Sequence, residues 1–193
     1  MIEEENLIKI DKQALAALPA EVYNGRIEIV QTQATAAKAM KYLMEQPLVG
    51  FDTETRPTFR KGESHKVALM QLSTPDICFL IRLNRLGLFS ELKEFLETES
   101  VTKIGLSTKD DFHMLRQLAP VEPKGFVELQ SMVRSRGIGE ASLTKIYALL
   151  FGKRISKGQR LTNWEAVELT AAQQQYAALD AWACLRIYGE LTR

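Results

Sequence analysis

Two carboxylates stand close together at the end of a short apolar run: Asp52 and Glu54 come directly after the segment from Leu48 to Phe51. On a β-strand, side chains two residues apart point to the same face, about 6–7 Å from each other. Such a pair is costly beside an apolar strand, because the like charges repel and both resist desolvation. A divalent cation between them would offset both effects. Because Asp-x-Glu is a common pattern, the pair indicates a metal site only if distant parts of the chain supply matching ligands.

The last predicted helix, from about residue 171 to 191, carries a third candidate ligand. Its apolar stripe consists of Leu179, Ala183, Ile187 and Leu191. Tyr176 and Asp180 fall inside this stripe, one turn apart. A core tyrosine with a satisfied hydroxyl is ordinary, but a carboxylate in a buried stripe must be paired or bound to a cation. Lys157 or Arg160 could be its partner, so a structural ion pair is the alternative to a metal ligand.

A fourth carboxylate lies on the predicted helix 108–118. The apolar face of this helix is formed by Met114, Leu115 and Leu118. Asp111 lies on that face, whereas Asp110 is rotated from it by about 100°. Acidic residues in a first helical turn also interact favourably with the helix dipole. That alternative suits Asp110 better than Asp111, so Asp111 is the one expected to point inward.

Four inward carboxylates, with a tyrosine one turn from the last, predict roughly two bound divalent cations. Oxygen ligands favour Mg²⁺ or Mn²⁺ over Zn²⁺, and neither His65 nor His113 has the spacing to a cysteine that zinc sites use. Two such ions about 3.5–4 Å apart are suited to the in-line displacement of a phosphoryl group. The candidate catalytic set is Asp52, Glu54, Asp111, Tyr176 and Asp180, and its four carboxylates are the candidate metal ligands.

The elements that position these residues alternate between strands and helices. Predicted strands cover 48–54, 67–72, 77–81, 101–105 and 126–129, with a further short strand at 26–30. The first three of the five core strands form an antiparallel meander, with turn residues Ser73 to Asp76 in its hairpin. Predicted helices follow or separate the later strands. The pattern predicts an α/β fold with a mixed five-to-six-stranded sheet and helices on both faces.

Composition limits the protein class. The 193 residues include 25 basic and 24 acidic side chains, so nucleic acid would have to bind to local patches rather than to a global basic field. Cys78 and Cys184 lie in apolar contexts, which favours a reducing compartment. The sequence has neither a secretory apolar core nor a membrane-length apolar run. We expect an N-terminal leader at 1–26, one domain at 27–193, a cytoplasmic location and no membrane contact.

Three motifs then carry a resemblance. They are Phe51-Asp52-Thr53-Glu54, the segment 103–115 in which Asp111 follows Gly105 by six residues, and the segment 176–180 that begins with Tyr176 and ends with Asp180. In this order they resemble the three motifs of the DEDD 3′–5′ exonucleases in their tyrosine (DEDDy) form. Asn163-Trp164 and its neighbours are similar to the Werner-exonuclease and RNase D branch. The resemblance covers about residues 27–190 and implies an RNase H-like fold.

The resemblance implies a role for each candidate residue. Asp52 would bridge two metals, Glu54 and Asp180 would complete the shell of the first, and Asp111 would hold the second. Tyr176 would orient or help deprotonate the attacking water. Candidate substrate contacts are Thr53, Leu106, Phe112, Arg56, Arg60, Lys61, Lys157, Arg160, Asn163 and Trp164. For any single basic residue among them, a solvated loop charge is the alternative. This sequence departs from related patterns at Leu106, at Glu128, and at Phe112-His113, where Werner-like enzymes carry a tryptophan.

The predicted function is removal of nucleoside 5′-monophosphates from 3′ ends, with DNA as the first choice of substrate. One alternative is an RNase D-like exoribonuclease, because the same residues would serve both substrates. A second is a module that binds a 3′ end without cutting it. A third is an α/β domain with a receiver-like acidic pocket, which would need a lysine after the fifth strand and only one metal.

Overall fold

A six-stranded mixed sheet forms the centre of the protein. The computed structural model describes residues 7–193. The strands are β1 (Arg26–Val30), β2 (Leu48–Thr55), β3 (Val67–Ser73), β4 (Ile77–Arg82), β5 (Thr102–Gly105) and β6 (Phe126–Glu128). Their spatial order is β1-β4-β3-β2-β5-β6. Strands β2, β3 and β4 form the antiparallel meander. The other three pairs are parallel: β1 with β4, β5 with β2, and β6 with β5. The predicted mixed sheet is confirmed, with six strands.

Helices cover both faces of this sheet. They are α1 (Lys12–Ala17), α2 (Gln33–Leu43), α3 (Leu83–Leu86), α4 (Ser90–Glu97), α5 (Thr108–Arg116), α6 (Leu129–Ser135), α7 (Leu143–Phe151) and α8 (Ala171–Leu191). One apolar core lies between the sheet and α6, α7 and α8. A second lies on the other face, under α2, α4 and α5. The short helix α3 is an addition to the predicted elements.

Helix α8 packs across β1 to β5 and touches the sheet most closely at β2. It begins at Thr170, whose side chain accepts a hydrogen bond from the backbone N–H of Gln173, while the Gln173 side chain accepts one in return. Gly50 on β2 permits the close contact, because a Cβ at this position would lie 2.0 Å from the carbonyl oxygen of Ala181. The absence of a side chain at Gly50 therefore sets how near Asp180 comes to β2.

Two charged side chains are buried in the sheet. The Lys103 ammonium on β5 donates hydrogen bonds to the carbonyl oxygens of Phe95 (3.1 Å) and Thr98 (2.6 Å) at the end of α4. Burial lowers the pKa of Lys103 to about 8. Arg82 at the end of β4 donates to the carbonyl oxygen of Ala166 at 2.5 Å and so fixes the segment that precedes α8.

The segment 7–25, which precedes β1, contacts the later part of the chain at two points. Ile8 pairs with Ile138, and Ala20 pairs with Arg154, through isolated β-bridges. Glu21, which follows Ala20, is buried; it accepts a hydrogen bond from Tyr147 at 2.7 Å and forms an ion pair with Lys153 at 2.9 Å. Residues 1–6 of the predicted leader lie outside the described residues. Among residues 7–193, no helix combines the length and hydrophobicity that a membrane-spanning segment needs.

Candidate active site

Three of the four predicted carboxylates converge between β2 and α8. Asp52 and Glu54 leave the same face of β2, and Asp180 faces them from the buried middle of α8. Each contributes a carboxylate oxygen, and these three atoms all lie within 4.8 Å of one another. The register of β2 against β3 shifts directly after Glu54, so the regular pairing ends where the cluster ends. The pairing of distant acidic residues, expected from helical and strand periodicity, is present in the fold.

The electrostatics of this cluster disfavour bare negative charge. Burial, followed by the neighbouring carboxylates of Asp180, Glu54 and Asp111, raises the pKa of Asp52 well above its usual range. Burial, followed by the carboxylates of Asp180 and Asp111, raises the pKa of Glu54 to about 9. The pKa of Asp180 rises to about 7 through burial, although Tyr176 and Lys157 act in the opposite direction. Only added positive charge would let all of these groups ionise at neutral pH.

Asp111 faces the site from the first turn of α5, but it is not one of the three clustered oxygens. The hydroxyl of Thr53, between the two acidic residues of β2, donates a hydrogen bond to the Asp111 carboxylate. Burial raises the pKa of Asp111 to about 6 despite this hydrogen bond. Asp110 is exposed, as the helical geometry predicts. Thr53, named above as a candidate substrate contact, thus also holds a carboxylate of the site through its side chain.

The N-terminus of α5 is held by Glu128 rather than by a side chain of its own. Ser107 adopts a left-handed conformation (φ 60°) and makes no capping hydrogen bond through its side chain. The Glu128 carboxylate instead accepts from the backbone N–H groups of Ser107 and Thr108, each at 2.8 Å. Ser107 therefore stands at the N-cap position without capping the helix through its own side chain. A carboxylate at the end of β6 takes over the capping role, because β6 pairs with β5 in a register that sets Glu128 opposite Gly105.

Tyr176 lies one turn before Asp180 and donates a hydrogen bond from its hydroxyl to the Asp180 carboxylate. Burial and the nearby carboxylates raise the pKa of Tyr176, so the hydroxyl stays protonated. Trp164 packs beside the tyrosine, with ring centroids 5.9 Å apart. Trp164 is fully buried, so the expected contact between Trp164 and substrate does not fit the structure. Its ring supports Tyr176 from within the core.

The remaining candidate substrate residues separate into two groups. Leu106, Lys157 and Arg160 line a cavity of about 320 Å³ that opens beside Tyr176 and Asp180, together with the hydroxyl-bearing Ser142, Thr144 and Ser156. The positive charge of Arg160 acts on Glu54 and that of Lys157 on Asp180, lowering the pKa of each carboxyl. Neither basic residue replaces a metal, because both carboxyl groups still have raised pKa values.

The second group lies away from this cavity or makes other contacts. Phe112 packs its ring against Phe126 at 4.7 Å between centroids, on the opposite face of the sheet from the α8 core. The Asn163 side chain accepts a hydrogen bond from the backbone N–H of Glu165 at 3.0 Å. Arg56 forms an ion pair with Glu165 at 3.2 Å. The role of Glu165 was not expected from the sequence, because its partners come from a distant loop.

The donor set fits a hard divalent cation. Every candidate ligand in the site is a carboxylate oxygen, and three such oxygens lie within reach of one ion. The raised pKa values of Asp52 and Glu54 reflect the same shortage of positive charge. The residues present are therefore compatible with metal binding.

Comparison with known proteins agrees with this geometry. The family model for 3′–5′ exonucleases matches residues 27–193. The mouse (Mus musculus) bifunctional 3′–5′ exonuclease/ATP-dependent helicase WRN is 33% identical over 155 residues, covering 77% of this chain and 11% of that protein. Ribonuclease D of Haemophilus influenzae is 31% identical over 163 residues, covering 82% of this chain and 40% of the relative. The chain thus spans less than half the length of these two relatives.

Solved structures show the same fold. The Nibbler EXO domain of Aedes aegypti superposes with a TM-score of 0.81 at 24% identity, covering 89% of this chain and 91% of that one. The sheet order and this likeness define an RNase H-like fold. The chain belongs to the 3′–5′ exonuclease family.

Proposed function

We propose that this protein removes nucleoside 5′-monophosphates from the 3′ ends of DNA with the help of two divalent metal ions, Mg²⁺ or Mn²⁺. The observation that carries the proposal is the cluster of Asp52, Glu54 and Asp180 oxygens within 4.8 Å, with Tyr176 hydrogen-bonded to Asp180. These carboxylates, with Asp111, would hold the ions. Bound there, the ions would lower the pKa of an attacking water and stabilise the leaving 3′ oxygen.

Residues of the chain would supply orientation and exclusion of water. Thr53 fixes the Asp111 carboxylate through its hydroxyl, which keeps that ligand turned towards β2. Tyr176, hydrogen-bonded to Asp180, would orient the attacking water or help deprotonate it. Trp164 packs against the ring of Tyr176. Lys157 and Arg160, at the mouth of the cavity beside Asp180, are placed to contact phosphates of the substrate.

Removing one ligand tests the proposal. Asp52→Ala should abolish Mn²⁺-dependent shortening of a 5′-labelled single-stranded oligonucleotide while leaving binding of that oligonucleotide nearly intact. Asp111→Ala should have the same effect, and Asp110→Ala on the same helix is the matched control that should keep full activity. Activity of Asp52→Ala equal to that of the unmodified protein would contradict the assignment. Failure of the unmodified protein to cut would favour a module that only binds 3′ ends.

Tyr176→Phe tests the orienting role. The substitution removes the hydroxyl but keeps the ring that packs on Trp164. Turnover should fall by about 10²-fold or more, within the range for a positioned proton donor or acceptor, with little change in metal affinity. Metal affinity is measured by titrating Mn²⁺ against turnover. A turnover equal to that of the unmodified protein would remove the role given to the hydroxyl.

A second candidate substrate is RNA. It is favoured by the 31% identity to ribonuclease D over 82% of this chain. DNA is supported in the same way by the 33% identity to the mouse helicase–exonuclease. Digestion of matched DNA and RNA oligonucleotides, measured as kcat/KM for each, distinguishes the two. A ratio above about ten in favour of RNA would replace DNA as the substrate proposed.

A further inference from the structure

Phe59 is a large apolar side chain left in solvent. It is 77% exposed, whereas every other aromatic ring among residues 7–193 is buried or half-buried. The residue lies in the loop 56–66, which joins β2 to β3 and so begins immediately after the strand that carries Asp52 and Glu54. The loop that carries this ring therefore continues directly from the strand that carries two carboxylates of the candidate active site.

Both ends of this loop are anchored on one residue. Glu165 pairs with Arg56 at the start of the loop (3.2 Å) and with His65 near its end (3.3 Å). Glu165 itself follows Trp164, the residue that packs against Tyr176. The base of the loop is consequently connected to the residues that support Tyr176, and residues 58–64, between the two anchors, are exposed.

The tip of the loop has a defined turn. The backbone N–H of Glu63 donates to the carbonyl oxygen of Arg60 at 3.3 Å, and Gly62 has a φ of 89°. A left-handed residue at this point is natural for glycine and closes the chain into a tight turn directly after Phe59. An aromatic ring held next to a fixed turn is better organised for binding than one on an unstructured segment.

The residues that follow the ring carry positive charge. The Arg60 side chain is 85% exposed and lies 3.9 Å from Glu63, an exposed contact that contributes little to stability. Lys61 is exposed beside it. Surfaces that bind single-stranded nucleic acid combine these two properties, because bases stack on aromatic rings while basic side chains contact the backbone.

We propose that Phe59 stacks on a base of a single-stranded 3′ tail upstream of the nucleotide being removed. The proposal rests on the function proposed above and adds a preference for unpaired substrate. Four residues separate Glu54 from Phe59, so their Cα atoms lie no more than about 18 Å apart. With stacked nucleotides about 3.4 Å apart, this upper limit corresponds to at most about five nucleotides from the 3′ end.

The test compares three substitutions at one position on two substrates. Phe59→Ala removes the ring, Phe59→Leu keeps apolar volume without an aromatic face, and Phe59→Tyr keeps the aromatic face. On a 12-nucleotide single strand, Phe59→Ala and Phe59→Leu should raise KM about tenfold, whereas Phe59→Tyr should match the unmodified protein. The kcat should not change in any variant. On a dinucleotide, which is too short to reach the ring, all four proteins should have the same kcat/KM.

Direct binding separates this proposal from the nuclease assignment. Fluorescence anisotropy with the 12-nucleotide strand should show about tenfold weaker binding for Phe59→Ala even if the protein cuts nothing, in which case only the nuclease assignment fails. Equal affinity and KM for Phe59→Ala and the unmodified protein would overturn the stacking site. A Phe59→Leu variant that behaves like Phe59→Tyr would also overturn it. A change of sedimentation coefficient in Phe59→Ala would overturn it too, because it would assign the ring to a contact between copies of the chain. Thermal unfolding of each variant should match the unmodified protein within about 1 °C, because an exposed ring contributes little to folding.

Discussion

Substituting Gly50 by alanine should separate the two halves of the acidic site. The new Cβ would lie 2.0 Å from the carbonyl oxygen of Ala181 and 3.1 Å from Leu185. Carbon and oxygen atoms approach to only about 3.3 Å in favourable contacts, so α8 would have to move away from β2 by about 1 Å. Asp180 moves with α8 while Asp52 and Glu54 stay on β2. Misplacement of reacting groups by about 1 Å can lower a rate about 10²-fold.

The same change should lower stability. Overpacking of a tight contact typically costs about 1–3 kcal/mol, which corresponds to a decrease in Tm of about 2–12 °C for a chain of this size. The assay is kcat on a single-stranded oligonucleotide in Mn²⁺, with Tm measured by circular dichroism. Gly189→Ala is the control, because Gly189 also lies on α8 but a Cβ there meets no atom within 4 Å. Gly189→Ala should keep full activity and equal or higher stability. If Gly50→Ala kept its kcat within about twofold and its Tm within about 1 °C, the close contact would not control the site.

Three further predictions concern charge. In EDTA, the free energy of unfolding should fall as pH rises from about 4 to 9. The reason is that carboxyl groups with raised pKa values, such as Glu54 (about 9) and Asp180 (about 7), bind more protons in the folded chain than in the unfolded chain. Urea denaturation with and without excess Mg²⁺ measures this free energy, and a fall that Mg²⁺ does not reduce would contradict the prediction. Burial lowers the pKa of Lys103 to about 8, so between about pH 8 and 10 this side chain holds more protons in the unfolded chain than in the folded chain. In this range the unfolding free energy of the unmodified protein should therefore rise with pH relative to that of Lys103→Met. Parallel denaturation of both proteins cancels the groups they share, and identical pH profiles would refute the assignment. Glu128→Ala should lower the unfolding free energy by about 1 kcal/mol, because α5 loses its cap. It should also lower kcat, because the start of α5 holds Asp111 in position. An unchanged kcat would show that the cap does not position Asp111.

Features that depend on local chemistry were predictable from the sequence. The extent of α8, from about residue 171 to 191, follows from its helical periodicity and is confirmed. The inward direction of Asp180 followed from its position in an apolar stripe, and the helix indeed buries it. The alternation of strands and helices likewise predicted the mixed sheet, because strand pairs joined by a tight turn are antiparallel and those joined by helices are parallel.

Features that depend on tertiary register were not predictable. Glu128 caps α5 only because β6 lies beside β5 in one particular register, and no local signal marks that pairing. Trp164 directly follows the basic stretch 152–163, so its complete burial reflects the arrangement of distant elements. Glu165 anchors a loop about a hundred positions away in sequence, through Arg56 and His65. In each case the side chain acts through a partner that only the folded chain brings near.

The contact of α8 with β2 also affects folding kinetics. Asp52 and Asp180 lie more than half the chain apart in sequence, so their approach belongs to the non-local contacts that form slowly. In an unfolded or partly folded chain, a divalent ion therefore meets Asp180 apart from Asp52 and Glu54. In the native chain, the three carboxylates lie together. An ion that binds only the native state stabilises it by mass action. If α8 docks after the folding transition state, that stabilisation acts on the unfolding rate, and a divalent ion held by these carboxylates would also prolong the lifetime of the folded protein.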